Sequence, residues 1–446
     1  MNFIKFIQKN FPDPFYFAIL LTLITVFPIL TFTEKSLVDV FQIWIGRWAV
    51  DGGTTTGNGI FSLLDFSMQM CLILFGGYLI SSSYSVRRII YKFAVLPRST
   101  VQACIILSCF SSISALANWG LCISASSILA REIIMRNPNF PKGAIACAAY
   151  SGLMIWHGGI SGSIPLDLAT KGVPLTKTIF SSMNIFITLS LVFLTPIFFY
   201  FIAKISERVE KTEGIIGEKN KENKDEQKYS DNIEEKISFL DLSVRLIFLI
   251  TLFLTVALGF KNKGIIFLNL YSVCFIFIAL SIVLHRSLRT LLSYVPKAAK
   301  PCGGIILQFP FYAGIMSLIS ESGLGEKISY MISDFIQSFP SFREEFFGII
   351  TFLSASFLNL FIPSGGGQWK VQGTVMVQAG LNIGVPESIT AMLIAYGDEF
   401  TNMVQPFWAI PLIGLTNVKA GYIISYSMIY MILSLPIYII GILIFT

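Results

Sequence analysis

The run Pro363-Ser364-Gly365-Gly366-Gly367, followed by Gln368, Trp369 and Lys370, lies inside an otherwise apolar stretch. Three successive glycines release the backbone from the helical ladder and leave amide N–H groups without partners. The half-helix that follows adds partial positive charge at its N-terminus. Together they form a cradle for an anion such as a carboxylate. Close helix packing through small residues is the alternative. A second candidate tip is Asn118-Trp119-Gly120. Asn118 and bared backbone carbonyls there offer hard oxygen ligands for a small cation, although a buried Asn also serves as glue between helices. Asp398 and Glu399 are an acidic pair able to hold a cation or carry a proton, or to form a structural ion pair. Asn402 and Gln405 follow about one turn later with neutral polar groups. Lys370 either meets a carboxylate or snorkels to water. Ser161 and Ser163, in Gly159-Ile160-Ser161-Gly162-Ser163, sit where a membrane helix is expected to unwind. The candidate substrate-binding set is therefore Asn118, Trp119, Gly120, Ser161, Ser163, Ser364, Gly365, Gly366, Gly367, Gln368 and Lys370. The candidate coupling-ion set is Asn118, Asp398, Glu399, Asn402 and Gln405.

Two stretches that must position these residues match each other in register. Ala149-Tyr150-Ser151-Gly152, closing on Ile164-Pro165-Leu166, matches Ala395-Tyr396-Gly397-Asp398, closing on Ile410-Pro411-Leu412; 395 − 149 and 411 − 165 both give 246. The same offset sets Asn118-Trp119-Gly120 opposite Ser364-Gly365-Gly366. Paired, Gly/Pro-interrupted apolar segments in two halves point to the midplane binding site of a secondary transporter.

The 446 residues are 54% hydrophobic and 13% charged, with a mean hydropathy of +0.72. That composition is of a polytopic membrane protein, whose hydrocarbon core of roughly 30 Å sets the span length. Apolar spans are expected at about 14–32, 60–82, 101–135, 143–162, 178–203, 242–260, 264–284, 301–320, 346–380, 387–412 and 420–445. The net charge of +6 fits basic cytoplasmic loops and not a nucleic-acid interface. Seven cysteines without a CxxC pair read as reduced packing residues, and two histidines, His157 and His285, leave no basis for a metal site. No Walker-type glycine loop is present for nucleotide. The apolar run from Phe15 has no small-residue cleavage site and reads as a retained first helix.

Orientation follows Lys and Arg. Arg87, Arg88, Lys92 and Arg98 precede the 101–135 segment, and Arg131, Arg136 and Lys142 close it, so both its ends belong on the cytoplasmic side. A re-entrant hairpin turning at Asn118 satisfies this; a single crossing does not. Arg286, Arg289, Lys297 and Lys300 return the chain to the cytoplasm, and the 346–380 hairpin then enters from outside. The fold class is all-α: two inverted repeats, each with a re-entrant helical hairpin and a broken transmembrane helix. Residues 1–205 form the first repeat, 206–241 a charged cytoplasmic linker, 242–263 a linking helix and 264–446 the second repeat. The N-terminus is placed inside and the C-terminus outside.

Phe11-Pro12-Asp13-Pro14, Asn118-Trp119-Gly120, Ala130-Arg131-Glu132, Ser161-Gly162-Ser163 with Pro165, Phe180-Ser181, Asn184-Ile185-Phe186, the run from Gln308 to Gly314, Pro363-Ser364-Gly365-Gly366-Gly367 and Gln405-Pro406-Phe407-Trp408 occur in one order. As a set they resemble the bacterial short-chain fatty acid transporter family over nearly the whole chain. The resemblance implies an inner-membrane permease for small monocarboxylates, placed among ion-coupled, inverted-repeat carriers with elevator-type access. It implies no cofactor beyond a coupling cation, Na⁺ or H⁺, and the lipid bilayer and a short carboxylate as partners, with a homodimer by analogy. Gln368 stands where the family often has histidine, Lys370 where an apolar residue is expected, Asp398 in place of glutamate, and residues 52–59 form a Gly/Thr-rich insertion. These departures leave open a related permease or exchanger for dicarboxylates or amino acids. A channel and an intramembrane enzyme are the other classes. The enzyme would need a histidine able to act as base for Ser161.

Overall fold

The computed structural model of the protein describes residues 2–46, 59–210, 238–267, 269–337 and 343–446. Of the 52–59 insertion only Gly59 is described. Of the linker expected at 206–241 only its flanks are, and these are helical: Ser182–Glu210 runs five residues past the expected boundary, and the next helix is Phe239–Lys263.

Every regular element among the described residues is a helix. Seven helices are long and apolar enough to cross a membrane: Pro14–Phe32, Gly59–Ser82, Thr100–Ala117, Ser182–Glu210, Phe239–Lys263, Cys302–Glu321 and Ala420–Phe445, with the shorter apolar Leu270–Leu284 beside them. They overlap spans read from hydropathy, Thr100–Ala117 filling the first half of 101–135, whereas the stretches expected at 143–162, 346–380 and 387–412 are each broken into shorter elements. The chain is a multi-pass membrane protein. Phe239–Lys263 packs on Leu270–Leu284 and leaves Leu246, Ile247, Phe253 and Leu254 exposed, a surface suited to lipid tails.

Both hairpins are present. Thr100–Ala117 and Trp119–Arg136 are separated by Asn118 alone, whose extended backbone (φ −163°, ψ 129°) ends one helix and caps the next. The arms fold back on each other: the Cys122 thiol lies 3.3 Å from both the hydroxyl and the carbonyl oxygen of Ser111. In the second hairpin, Arg343–Asn359 leads through a turn to Gly365–Gln368, a π-helical turn at Trp369–Gly373, and Thr374–Leu381. Gln368 Nε2 donates to the Ala355 carbonyl at 2.8 Å, and Gln372 Nε2 to Ser354 Oγ at 2.8 Å. A single-turn π segment inside a helix is a known companion of functional sites.

The two repeat-matched segments are broken in different places. Lys142–Tyr150 unwinds into the 3₁₀ turns Ser151–Met154 and Trp156–Gly158 before Ser163–Thr170 begins. Glu387–Thr401 stays α-helical through Asp398, and helix resumes only at Ile410–Thr416. The sequence match thus aligns an unwound Gly152 with a helical Asp398. Gly152 must be bare where it is, because a Cβ there would lie 2.4 Å from the Ser111 carbonyl oxygen.

Candidate substrate site at the broken helices

A helix that stops inside the bilayer strands N–H and C=O groups that lipid cannot satisfy. The positions of their partners show which segments meet. Asn118 Oδ1 accepts from Leu121 N at 3.1 Å and caps the second arm of the first hairpin. The rest of that tip is tied to the first break: Trp119 N donates to Ser161 Oγ at 3.0 Å, and Ile160 N to the Leu116 carbonyl at 2.9 Å. Asn184, on Ser182–Glu210, holds the Gly158 carbonyl at 3.0 Å and accepts from Tyr396 of the other broken helix at 3.2 Å.

The second tip reaches the same break from another direction. Ser364 Oγ accepts from Gly367 N at 3.3 Å. A Cβ on Gly365 would stand 2.7 Å from both His157 Nε2 and Ser163 Oγ, whereas one on Gly366 would meet nothing within 4 Å. Glycine is therefore required at 365 by close approach, and 366 opens onto free space. Both hairpin tips converge on residues 156–163.

The second break is bound to the tip end of its own hairpin's first arm and to the first break. Asn359 Nδ2 donates to the Asp398 carbonyl (2.7 Å) and lies 2.9 Å from Asn402 Oδ1, while Gln405 Nε2 donates to the Asn359 carbonyl at 2.7 Å. Across the halves, His157 Nε2 is 3.0 Å from Asp398 Oδ2, and His157 N donates to Glu399 Oε2 at 3.0 Å. The Tyr438 hydroxyl sits 2.9 Å from Glu399 Oε1 and 2.7 Å from the Met154 carbonyl. Tyr150 donates to the Asn402 carbonyl at 2.7 Å. Asp398, Glu399, Asn402, Gln405 and His157 are all buried. A buried carboxylate persists only where it is paired and hydrogen-bonded; His157 of the opposite half meets both of these, and Tyr438 of the same half meets Glu399. Several polar atoms here are buried with nothing to bond: His157 Nδ1, Ser163 Oγ, Asp398 Oδ1, Asn359 Oδ1, Gln368 Oε1, Asn402 Nδ2 and Gln405 Oε1.

Most of the residues singled out in the sequence thus lie along one connected set of contacts: Asn118, Trp119, Ser161, Ser163, Ser364, Gly365, Asp398, Glu399, Asn402 and Gln405. Gly120 lines a narrow apolar recess with Ile73, Ile123 and Pro411. Gly367 packs against Met316. Gln368 braces the hairpin from within. Lys370 is exposed, unlike the buried cluster. Sequence reasoning gave no role to His157, Asn359, Tyr150 or Tyr438. It considered His157 only as a metal ligand or a base for Ser161, but its Nε2 faces Asp398, and the Ser161 hydroxyl accepts from the Trp119 amide. Among the described residues no group of three or more His, Cys, Asp and Glu side chains is arranged to hold a metal.

Residues 1–445 match the model of the short chain fatty acid transporter family. The chain belongs to that family. A Haemophilus influenzae protein provisionally named a short-chain fatty acid transporter is 32% identical over 98% of this chain and 97% of its own length. An Escherichia coli K12 protein of the same provisional name is 30% identical over 99% and 98%. Among solved structures, the Alcanivorax borkumensis YdaH transporter superposes with a TM-score of 0.45 at 12% identity, over 97% of this chain and 98% of that one. Family membership makes this protein a transporter and not an enzyme.

Proposed function

We propose that the protein is a secondary active carrier that takes short-chain fatty acids into the cell across the cytoplasmic membrane, driven by a cation gradient of Na⁺ or H⁺. The observation that carries this is the convergence of two helical-hairpin tips and two broken helices on residues 156–163. Such an arrangement places helix ends and bare backbone around a small solute at mid-depth. Gly365 and the space at Gly366 set amide dipoles beside His157 and Ser163, a suitable environment for a carboxylate. Asp398 and Glu399, paired across the halves, are the groups through which a cation's presence changes the stability of the closed contact. Family membership and the names of the two relatives support the substrate class.

The two repeats are read as inverted. Two amphipathic helices beside the crossings are basic: Tyr84–Ala94 carries Arg87, Arg88 and Lys92, and Leu288–Ala299 carries Arg289 and Lys297. Leu37–Ile45 and Leu324–Gln337 carry Asp39, and Glu326, Lys327 and Asp334, respectively. That partition supports a cytoplasmic pair and an outer pair, with the N-terminus inside and the C-terminus outside. The dicarboxylate alternative drew on Lys370, which is exposed.

The test is uptake of labelled butyrate by proteoliposomes in which Na⁺ and H⁺ gradients are imposed independently. Accumulation driven by one of the two gradients is expected. Flux that equilibrates butyrate without responding to either gradient would contradict a coupled carrier.

A further inference from the structure

Three tryptophans meet where the broken elements converge. Trp119 comes from the first tip, Trp156 from the first break and Trp408 from the second. Trp119 packs edge to face on Trp408 at 5.0 Å and on Trp156 at 6.1 Å, and Trp156 and Trp408 lie tilted at 6.2 Å between centroids. Phe66 touches Trp119 and Trp408 at 6.1 and 6.0 Å and Phe309 at 6.1 Å, and Phe309 stacks on Phe407 at 4.3 Å. The result is an aromatic box built from segments far apart in sequence. An ordinary core would explain the rings but not their polar edges. The Nε1 atoms of Trp156 and Trp408 are both buried without a hydrogen-bond acceptor, and each residue is only 3% exposed. Buried indole N–H groups normally find one.

We propose that this box is the substrate subsite, in which the Trp156 and Trp408 indole N–H groups donate to the same carboxylate that the Gly365 and Gly366 amides face, Trp156 lying ring to ring with His157 at 3.7 Å, and the surrounding rings hold the short alkyl tail. It rests on the carrier reading above and specifies that site. An indole N–H only donates, so two of them select an acceptor-only head such as a carboxylate over an amine or a bare cation. The walls are apolar, so each methylene they house strengthens binding about fourfold. They also end: Phe309 stacked on Phe407 closes one side, which limits the tail to a few carbons. In the present conformation the rings touch, so entry requires one to swing aside. Trp408 lies in the 402–409 connection between two helices, which makes it the ring able to move at least cost.

The test uses the full chain in proteoliposomes. Trp156→Phe and Trp408→Phe keep an aromatic ring and remove the donor; each is expected to raise KM for butyrate by about tenfold. Phe309→Ala is expected to shift the preference from butyrate toward hexanoate by about tenfold. Wild-type KM and chain-length preference in all three variants overturn the assignment. Should the variants fail to fold, the indole emission of the wild-type protein in detergent decides. A change on saturation with butyrate that is absent with butylamine, and that Trp369→Phe retains, supports the box; unchanged emission overturns it. Wild-type protein that moves no short carboxylate removes the carrier reading itself, whereas normal wild-type transport with indifferent Trp variants removes only the box.

Discussion

The two hairpin tips occupy matched positions in the two halves but are held very differently. The first turns on one residue, Asn118, and its polar groups are tied to the first break by the Trp119–Ser161 and Leu116–Ile160 hydrogen bonds. The second spreads over residues 360–364, continues into a four-residue helix and a π turn, and presents Gly366 to open space. Around it cluster the unpaired atoms of His157, Ser163, Asp398 and Gln368. Satisfied backbone is costly to move, and unsatisfied polar groups are costly to keep without a ligand. In the proposed site the first tip accordingly serves as the fixed wall and the second as the side that responds to ligand.

Substitutions sharpen this contrast, and the largest effect is expected at its centre. Asp398→Asn removes the carboxyl group facing His157 Nε2. Initial butyrate uptake should fall about a hundredfold, a loss of the size expected when one partner of a buried pair is taken away, and the residual flux should lose its dependence on the driving cation. Uptake with unchanged cation and pH dependence would remove Asp398 from coupling. Next come adjacent glycines with different surroundings. Gly365→Ala drives a methyl group into His157 and Ser163 and should lower both thermal stability and uptake. Gly366→Val adds bulk where nothing stands, so it should abolish uptake while leaving the melting temperature near that of the wild type. Equal loss of stability in both would mean that the space at Gly366 is not there.

Smaller effects separate the tips themselves. Asn118→Ala removes a helix cap at the tied tip and should cost about 1 kcal/mol of stability, read as a lowered thermal midpoint. Ser364→Ala, whose cap bond is longer at 3.3 Å, should cost less stability but more transport. The reverse order would overturn the division into wall and responsive side. The smallest effect is expected at Lys370: its side chain is exposed, and Lys370→Gln should change KM for butyrate by less than about twofold.

Much of this architecture was legible in the sequence because membranes enforce strict rules. Span lengths, the Lys and Arg flanking the 101–135 segment, and glycine or asparagine in apolar surroundings were enough to place both hairpins and to mark both broken segments. The 246-residue offset found the two broken segments but not where each one unwinds: Tyr150 ends a helix, and its match Tyr396 sits within one. That difference depends on what packs alongside, such as Ser111 against Gly152. Contacts across the halves left no local signal. His157 faces a carboxylate 241 residues away, and Asn359, whose offset partner is the apolar Ile113, has no counterpart to mark it. Lys370 shows the opposite limit, since sequence cannot tell a residue at the tip that faces inward from one that faces out.

The central claim is that two hairpins enter the membrane from opposite faces and return to the faces they came from. Single cysteines at the exposed positions Arg98 and Asn139 flank the first, and at Glu344 and Asn382 the second. Labelling of intact cells with a membrane-impermeant thiol reagent should mark Glu344→Cys and Asn382→Cys and spare Arg98→Cys and Asn139→Cys until the membrane is opened. One labelled and one protected end on either hairpin would make that segment an uninterrupted crossing and contradict the account.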